Sequence, residues 1–182
     1  MRETPASWPQ HAVKPGQIWL IEQAPATPLF PCDRVALTDA DVVLYDRALA
    51  AAAARVLRAG AYAEPLPRAA QAAGFAVSPR ALTLAAQGWS VAQLVDTRSE
   101  RSLRLQCAAE ALLSLGCAEE LPVLIITKRT LYWQREREAC LRSLPSLAVE
   151  LSDKDSLSLV FGPVVARYPA PCHAFAANGL AG

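Results

Sequence analysis

Histidine and methionine are nearly missing from this chain of 182 residues, with His11 and His173 the two histidines and Met1 the one methionine. So few imidazoles exclude a histidine-rich metal centre. The five cysteines, Cys32, Cys107, Cys117, Cys140 and Cys172, show no C-x-x-C spacing, so zinc lacks the clustered ligands it requires and no metal site is expected. Cys107 and Cys117 fall inside an apolar helical pattern, and the odd total fits reduced thiols in a cytoplasmic protein. An excess of one charge is also missing: 18 Lys and Arg stand against 17 Asp and Glu. A net charge of +1 supplies no global field for nucleic acid or an anionic membrane. No uncharged apolar run approaches the roughly 18 residues that cross a bilayer. The opening "MRETPASWPQHAVKPGQ" holds Pro5, Pro9 and Pro15 and no apolar stretch, so residues 1–16 read as a flexible lead rather than a signal peptide.

What is present is apolar. The hydrophobic share is 53% and the mean hydropathy +0.18, which suits an α/β fold whose central strands are buried on both faces. "QIWLIEQ" (17–23), "DVVLYD" (41–46), "WSVAQLVD" (89–96), "LPVLIITK" (121–128) and "SLSLVFGPVVARY" (156–168), broken at Gly162-Pro163, read as strands. Between them "DRVALTDA" (33–40), the alanine-rich 47–60 stopping at Gly60, "SPRALTLAAQG" (78–88) and 99–116 read as helices. Ser78 is the cap and Pro79 the first helical residue of the third. "QREREACLRSL" (134–144) is expected to be a further, charged helix. Alternating apolar strands and helices predict parallel or mixed sheets flanked by helices. Polar residues crowd near 96–99 and divide the chain into two small subdomains, 17–97 and 98–168, with a frayed tail at 169–182.

In such folds ligands sit beyond the carboxyl ends of the strands. Asp46-Arg47 closes the second strand at such an end. Two readings stand: the pair faces a cleft, or Asp46 only caps the helix that follows. Two basic stretches bear on ligands, "DTRSERSLR" with Arg98, and "TKRTLYWQRER" with Lys128 and Arg129. They fit a solvated helix face or an anionic small-molecule cleft. The interleaved Tyr132 and Trp133 allow base stacking, but Glu136 and Glu138 dilute the charge, so no nucleic-acid partner is expected.

"QIWLIEQAPATP…LTDADVVLYDRAL" resembles the N-terminal part of the tetrapyrrole methylases, in particular the uroporphyrinogen-III C-methyltransferases. In that family a strand, a G-A-G-P-G-D-P loop and a helix lead to A-D-V-V-L-Y-D-R-L-V. The match is nearly continuous from Ala40 to Leu49 and runs in patches over most of 17–167. The resemblance implies a tetrapyrrole methylase-like fold and S-adenosylmethionine-dependent methyl transfer to a porphyrinogen carbon, as in siroheme metabolism. It implies Asp46 as the base that takes the displaced proton. Arg68 falls where the family has an assisting lysine, and it keeps the charge without being able to shuttle a proton. Pro25, which matches a proline of the first loop, is implied at the cofactor, and Arg47, Arg98 and Arg129 at the carboxylates of an anionic tetrapyrrole. A homodimer is compatible with the family.

The departures lie at the cofactor. The first loop here is "EQAPATP" (22–28), with both prolines kept and every glycine replaced. A family G-G-D-P loop is replaced by "DTRS" (96–99), and the section that follows it in the family is absent. Glycines in such loops adopt positive φ and let backbone N–H groups approach a ligand, which a Cβ opposes. S-adenosylmethionine binding is therefore expected to be weak or absent. That leaves two roles, a divergent methyltransferase or a non-catalytic relative that binds a tetrapyrrole or serves a heme or siroheme enzyme.

Overall fold

The computed structural model of the protein describes residues 13–67, 75–96, 101–148 and 155–164, and their side chains apart from 101–104. Seven strands are described: β1 Ile18–Gln23, β2 Val42–Tyr45, β3 Tyr62–Pro65, β4 Val91–Asp96, β5 Pro122–Thr130, β6 Trp133–Cys140 and β7 Ser156–Phe161. The helices are α1 Pro31–Asp39, α2 Ala50–Ala54, α3 Pro79–Ala86, α4 Arg101–Ser114 and α5 Leu144–Leu147. All seven strands join one sheet in the order β3-β2-β4-β1-β7-β5-β6. The four strands before residue 97 are mutually parallel. The three after it pair antiparallel, and β7 fastens them to β1. The architecture is thus α/β with a mixed sheet between helices.

Because neighbouring residues of a strand point to opposite faces, β1 feeds two cores. Ile18 and Leu20 pack with Leu82 of α3, Leu105 and Leu112 of α4 and Leu144 of α5. Trp19 and Ile21 pack with Ala36 and Leu37 of α1 and Ala53 of α2. Burying one such leucine or isoleucine contributes about 1.5–3 kcal/mol, which is why the apolar runs become central strands. The Ser78 cap forms as expected: its hydroxyl accepts from the Ala81 N–H at 3.2 Å, ahead of Pro79.

Two local expectations are corrected, and one strand appears where none was read. Residues 134–144 are not a charged helix, since 133–140 form β6, hairpin partner of β5. Helix preference among Gln, Arg, Glu and Ala is worth only a few tenths of a kcal/mol per residue. Pairing with β5 instead satisfies the outer backbone groups of a buried strand. The resulting edge is guarded by charge, with Arg135 and Arg137 on one face and Glu136 and Glu138 on the other. The alanine-rich helix opens as a 3-10 turn over Arg47–Leu49 and ends at Ala54, well before Gly60. The segment 62–65, which carries no apolar run, forms the edge strand β3 against β2.

Candidate functional site

The order of the sheet fixes where a ligand can enter. After β1 the chain crosses to α1 on one face, and after β4, its parallel neighbour, it continues to α4 on the other. Adjacent strands whose connections part in this way leave a crevice at their carboxyl ends. Beside it opens a cleft of about 370 Å³, walled by Gln23, Thr27, Pro28, Phe30, Leu131 and Arg129.

The loop that borders the cleft is a closed turn. The Thr27 N–H donates to the Ala24 carbonyl at 3.1 Å across Pro25 and Ala26, and proline at the second position favours that geometry. The Gln23 amide Nε2 donates to the Ala24 carbonyl at 2.8 Å, the Thr27 carbonyl at 2.6 Å and Thr27 Oγ1 at 2.8 Å. Its polar groups are therefore engaged with one another, and Ala24 and Ala26 add Cβ atoms where a phosphate- or carboxylate-cradling loop would carry glycine. The residues present do not fit an S-adenosylmethionine loop of the kind that the family resemblance implies. Pro25 itself is exposed at the turn.

Asp46 ends β2 and is buried. Its backbone N–H donates to the Leu94 carbonyl at 2.9 Å, and its Oδ2 accepts from the Asp96 N–H at 2.7 Å. In the turn that follows, its carbonyl accepts from the Leu49 N–H at 2.8 Å, while its side chain makes no capping bond there. Asp46 thus stands at the N-terminal position of that turn, and its carboxylate ties the ends of β2 and β4 together. Arg47 beside it is exposed. Arg68 and Arg98 lie outside the described residues.

Arg129 stands at the mouth of the cleft. Its Nε donates to Asp155 Oδ1 at 2.9 Å and its Nη2 to Oδ2 at 3.4 Å. The guanidinium carbon lies 4.8 Å from the centre of the Trp133 ring. The aromatic plate and the forked ion pair hold the group flat, in the form that meets a carboxylate on two nitrogens. Asp46 and Arg129 do not meet. Four strand spacings separate β2 from β5, roughly 19 Å at about 4.8 Å each.

Behind Arg129, Lys128 of the same basic stretch does not face solvent but is buried against Asp33, which sequence reasoning did not single out. Lys128 and Asp33 are both fully buried, with Nζ to Oδ2 at 2.7 Å. Lys128 Nζ also donates to Ser158 Oγ at 2.6 Å, and that hydroxyl donates to Asp33 Oδ1 at 2.9 Å. The ammonium sits 5.1 Å from the Phe30 ring centre. The signal was there to read: a lysine closing the apolar run "LPVLIIT" needs a buried partner, and Asp33 is an acid in the first turn of a helix. Next to it, burial, reinforced by the charge of Asp33, pushes the Cys32 thiol up to about 12, which keeps it protonated and unreactive. Among the described residues no cluster of His, Cys, Asp and Glu could hold a metal, and no helix is long and apolar enough to cross a membrane.

No family model matches the chain, and no curated protein does. Solved structures do. The chain is similar to cobalt precorrin-4 methyltransferase, a cobalamin biosynthetic enzyme, at 11% identity and a TM-score of 0.32, over 81% of this chain and 94% of that one. It is similar to uroporphyrin-III C-methyltransferase from Thermus thermophilus at 19% identity and a TM-score of 0.33, over 82% of this chain and 95% of that one. The likeness is to methyltransferases. At these scores it assigns no residue a role.

Proposed function

We propose that this chain is a methylase-like protein that binds an anionic tetrapyrrole, or a flat ligand of similar charge, without using S-adenosylmethionine. The observation that carries the reading is the contrast between the turn after β1 and the cleft formed with the end of β5. The turn at 24–27 is spent on its own hydrogen bonds, while the cleft beside it sets the guanidinium of Arg129 against the apolar walls of Phe30, Pro28 and Leu131. Apolar walls with Arg129 as the solvent-facing cation, beside the buried Lys128 and Glu22, suit the edge of an aromatic macrocycle bearing carboxylates. The strand motif from Ala40 to Leu49 is what directs the choice to tetrapyrroles. A second reading, methyl transfer with Asp46 as base, is favoured by that residue's place just after the strand within the same motif. Two facts weigh against it: its Oδ2 is held by the Asp96 N–H, and it lies four strands from Arg129.

Absorbance titration of the full chain with uroporphyrin III tests the reading. Asp155 competes with any ligand carboxylate for Arg129. Asp155→Asn is therefore expected to tighten binding, and Arg129→Ala to weaken it by about tenfold. Equal affinity in all three proteins would remove the cleft from the account.

A further inference from the structure

A second groove, of about 410 Å³, lies at the start of β1, at the end of the sheet away from the ligand cleft. The strand pairings set four of its side chains in one row across the sheet and on one face. Trp19 of β1 stands beside Val160 of β7, Val160 beside Leu124 of β5, and Leu124 beside Glu138 of β6. The row runs from an N–H donor, over two aliphatic side chains, to a carboxylate. The indole Nε1 of Trp19 has no hydrogen-bond partner, although the residue is only 3% exposed. A buried donor of this kind costs free energy until an acceptor reaches it. Two more donors stand on the β1 side. Gln17 lies against Gly162, where a Cβ would come within 2.7 Å of the Gln17 Cγ. Its Oε1 accepts from the Lys14 N–H at 3.0 Å, which leaves the Nε2 donor for an acceptor in the groove. The exposed Lys14 brings an ammonium to the same rim. At the far end Glu138 is exposed on the outer strand. Glu136 lines the groove too but is engaged by the Gln134 amide at 3.2 Å, so the place for a cation falls to Glu138.

We infer that this groove binds a small elongated zwitterion, an ω-amino acid, with its carboxylate on the β1 side and its ammonium at Glu138. The carboxylate accepts from Trp19 Nε1 and Gln17 Nε2 and meets the charge of Lys14, as donors of this kind bind an anion. The chain between the charges lies over Val160 and Leu124, apolar on apolar. A plain fatty acid would set its methyl end against Glu138, and a plain amine would leave the indole donor unpaired. A dicarboxylate would meet like charge at Glu138. Length follows from the sheet. Trp19 and Glu138 stand three strand spacings apart, roughly 14 Å at about 4.8 Å each, and strand side chains rise roughly perpendicular to the sheet. A hydrogen bond of about 2.8 Å at each end leaves roughly 9 Å between the ligand's oxygen and its nitrogen. An extended chain advances about 1.2 Å per bond, so about seven bonds separate the two atoms, as in 6-aminohexanoic acid.

Calorimetric titration of the full chain with 6-aminohexanoic acid, hexanoic acid and hexylamine tests the inference. The amino acid is expected to bind at least about tenfold tighter than either probe that carries one of its two charges. Glu138→Gln, an exposed substitution on an edge strand, should bring the amino acid down to the affinity of hexanoic acid and leave hexanoic acid unchanged. Trp19→Phe should weaken both acids, and in the parent the indole N–H resonance that this variant lacks should shift on addition of the amino acid. Arg135→Gln, on the opposite face of the same strand, should alter none of the three affinities. No binding of the amino acid, equal binding of the three probes, or an affinity indifferent to Glu138→Gln would overturn the inference. So would hexanoic acid binding as tightly as the amino acid, which would give the groove to a plain carboxylate.

Discussion

At the scale of single residues, the buried trio Lys128, Asp33 and Ser158 carries the largest electrostatic stake in the described molecule. Both charges are fully buried and satisfied by one another and by the serine hydroxyl. Removing one partner strands the other without water, so Lys128→Met is expected to lower stability by about 3–5 kcal/mol. The double variant Lys128→Met with Asp33→Leu should recover most of that loss, because an apolar pair of similar volume needs no ionic partner. Urea denaturation of the three proteins measures both effects, and a single variant as stable as the parent would show that the lysine reaches water. The trio also marks the limit of residue-level reading. Asp46 was legible because it closes a strand within a matched motif, yet its carboxylate turns out to bind the backbone of a strand 50 residues on. Lys128 and Asp33 are 95 positions apart, and nothing local in either segment names the other.

At the scale of elements, apolar runs and punctuation were readable, and segments with neither were not. β1, β2, β4, β5 and β7 announce themselves because each must fill a core on two faces. Strands β3 and β6 do not, since both are edges whose identity comes from the neighbour they pair with. Strand β6 is made of residues that prefer helix, and only β5 makes it extended. Gly88, read as a helix stop, is an instance where sequence and structure meet. It has a φ of +93°, and a Cβ there would meet nothing within 4 Å. Gly88→Ala therefore isolates backbone strain from packing. It is expected to cost about 1–2 kcal/mol with no change in ligand binding. Thermal or urea unfolding gives the number, and a neutral or stabilising result would mean that the turn adopts another conformation in solution.

At the scale of the whole molecule, one sheet joins a parallel half, where the strand connections part and a cleft opens, to an antiparallel half that contributes Arg129. The cleft's cation thus comes from residues far along the chain from the motif that suggested a ligand, and only the β1–β7 pairing brings the halves together. That is why the sequence pointed to an anionic ligand and to a failing cofactor loop without placing the two side by side. The proposed function is binding of an anionic ligand without the cofactor. Calorimetric titration of the full chain with S-adenosylhomocysteine and, separately, with uroporphyrin III tests it most directly. Loss of even two hydrogen bonds to a charged ligand, at about 1.5–3 kcal/mol each, weakens binding by roughly two to four orders of magnitude. The account predicts no measurable heat with the nucleoside and saturable binding of the porphyrin. Micromolar binding of S-adenosylhomocysteine by the full chain would contradict it and make methyl transfer the function.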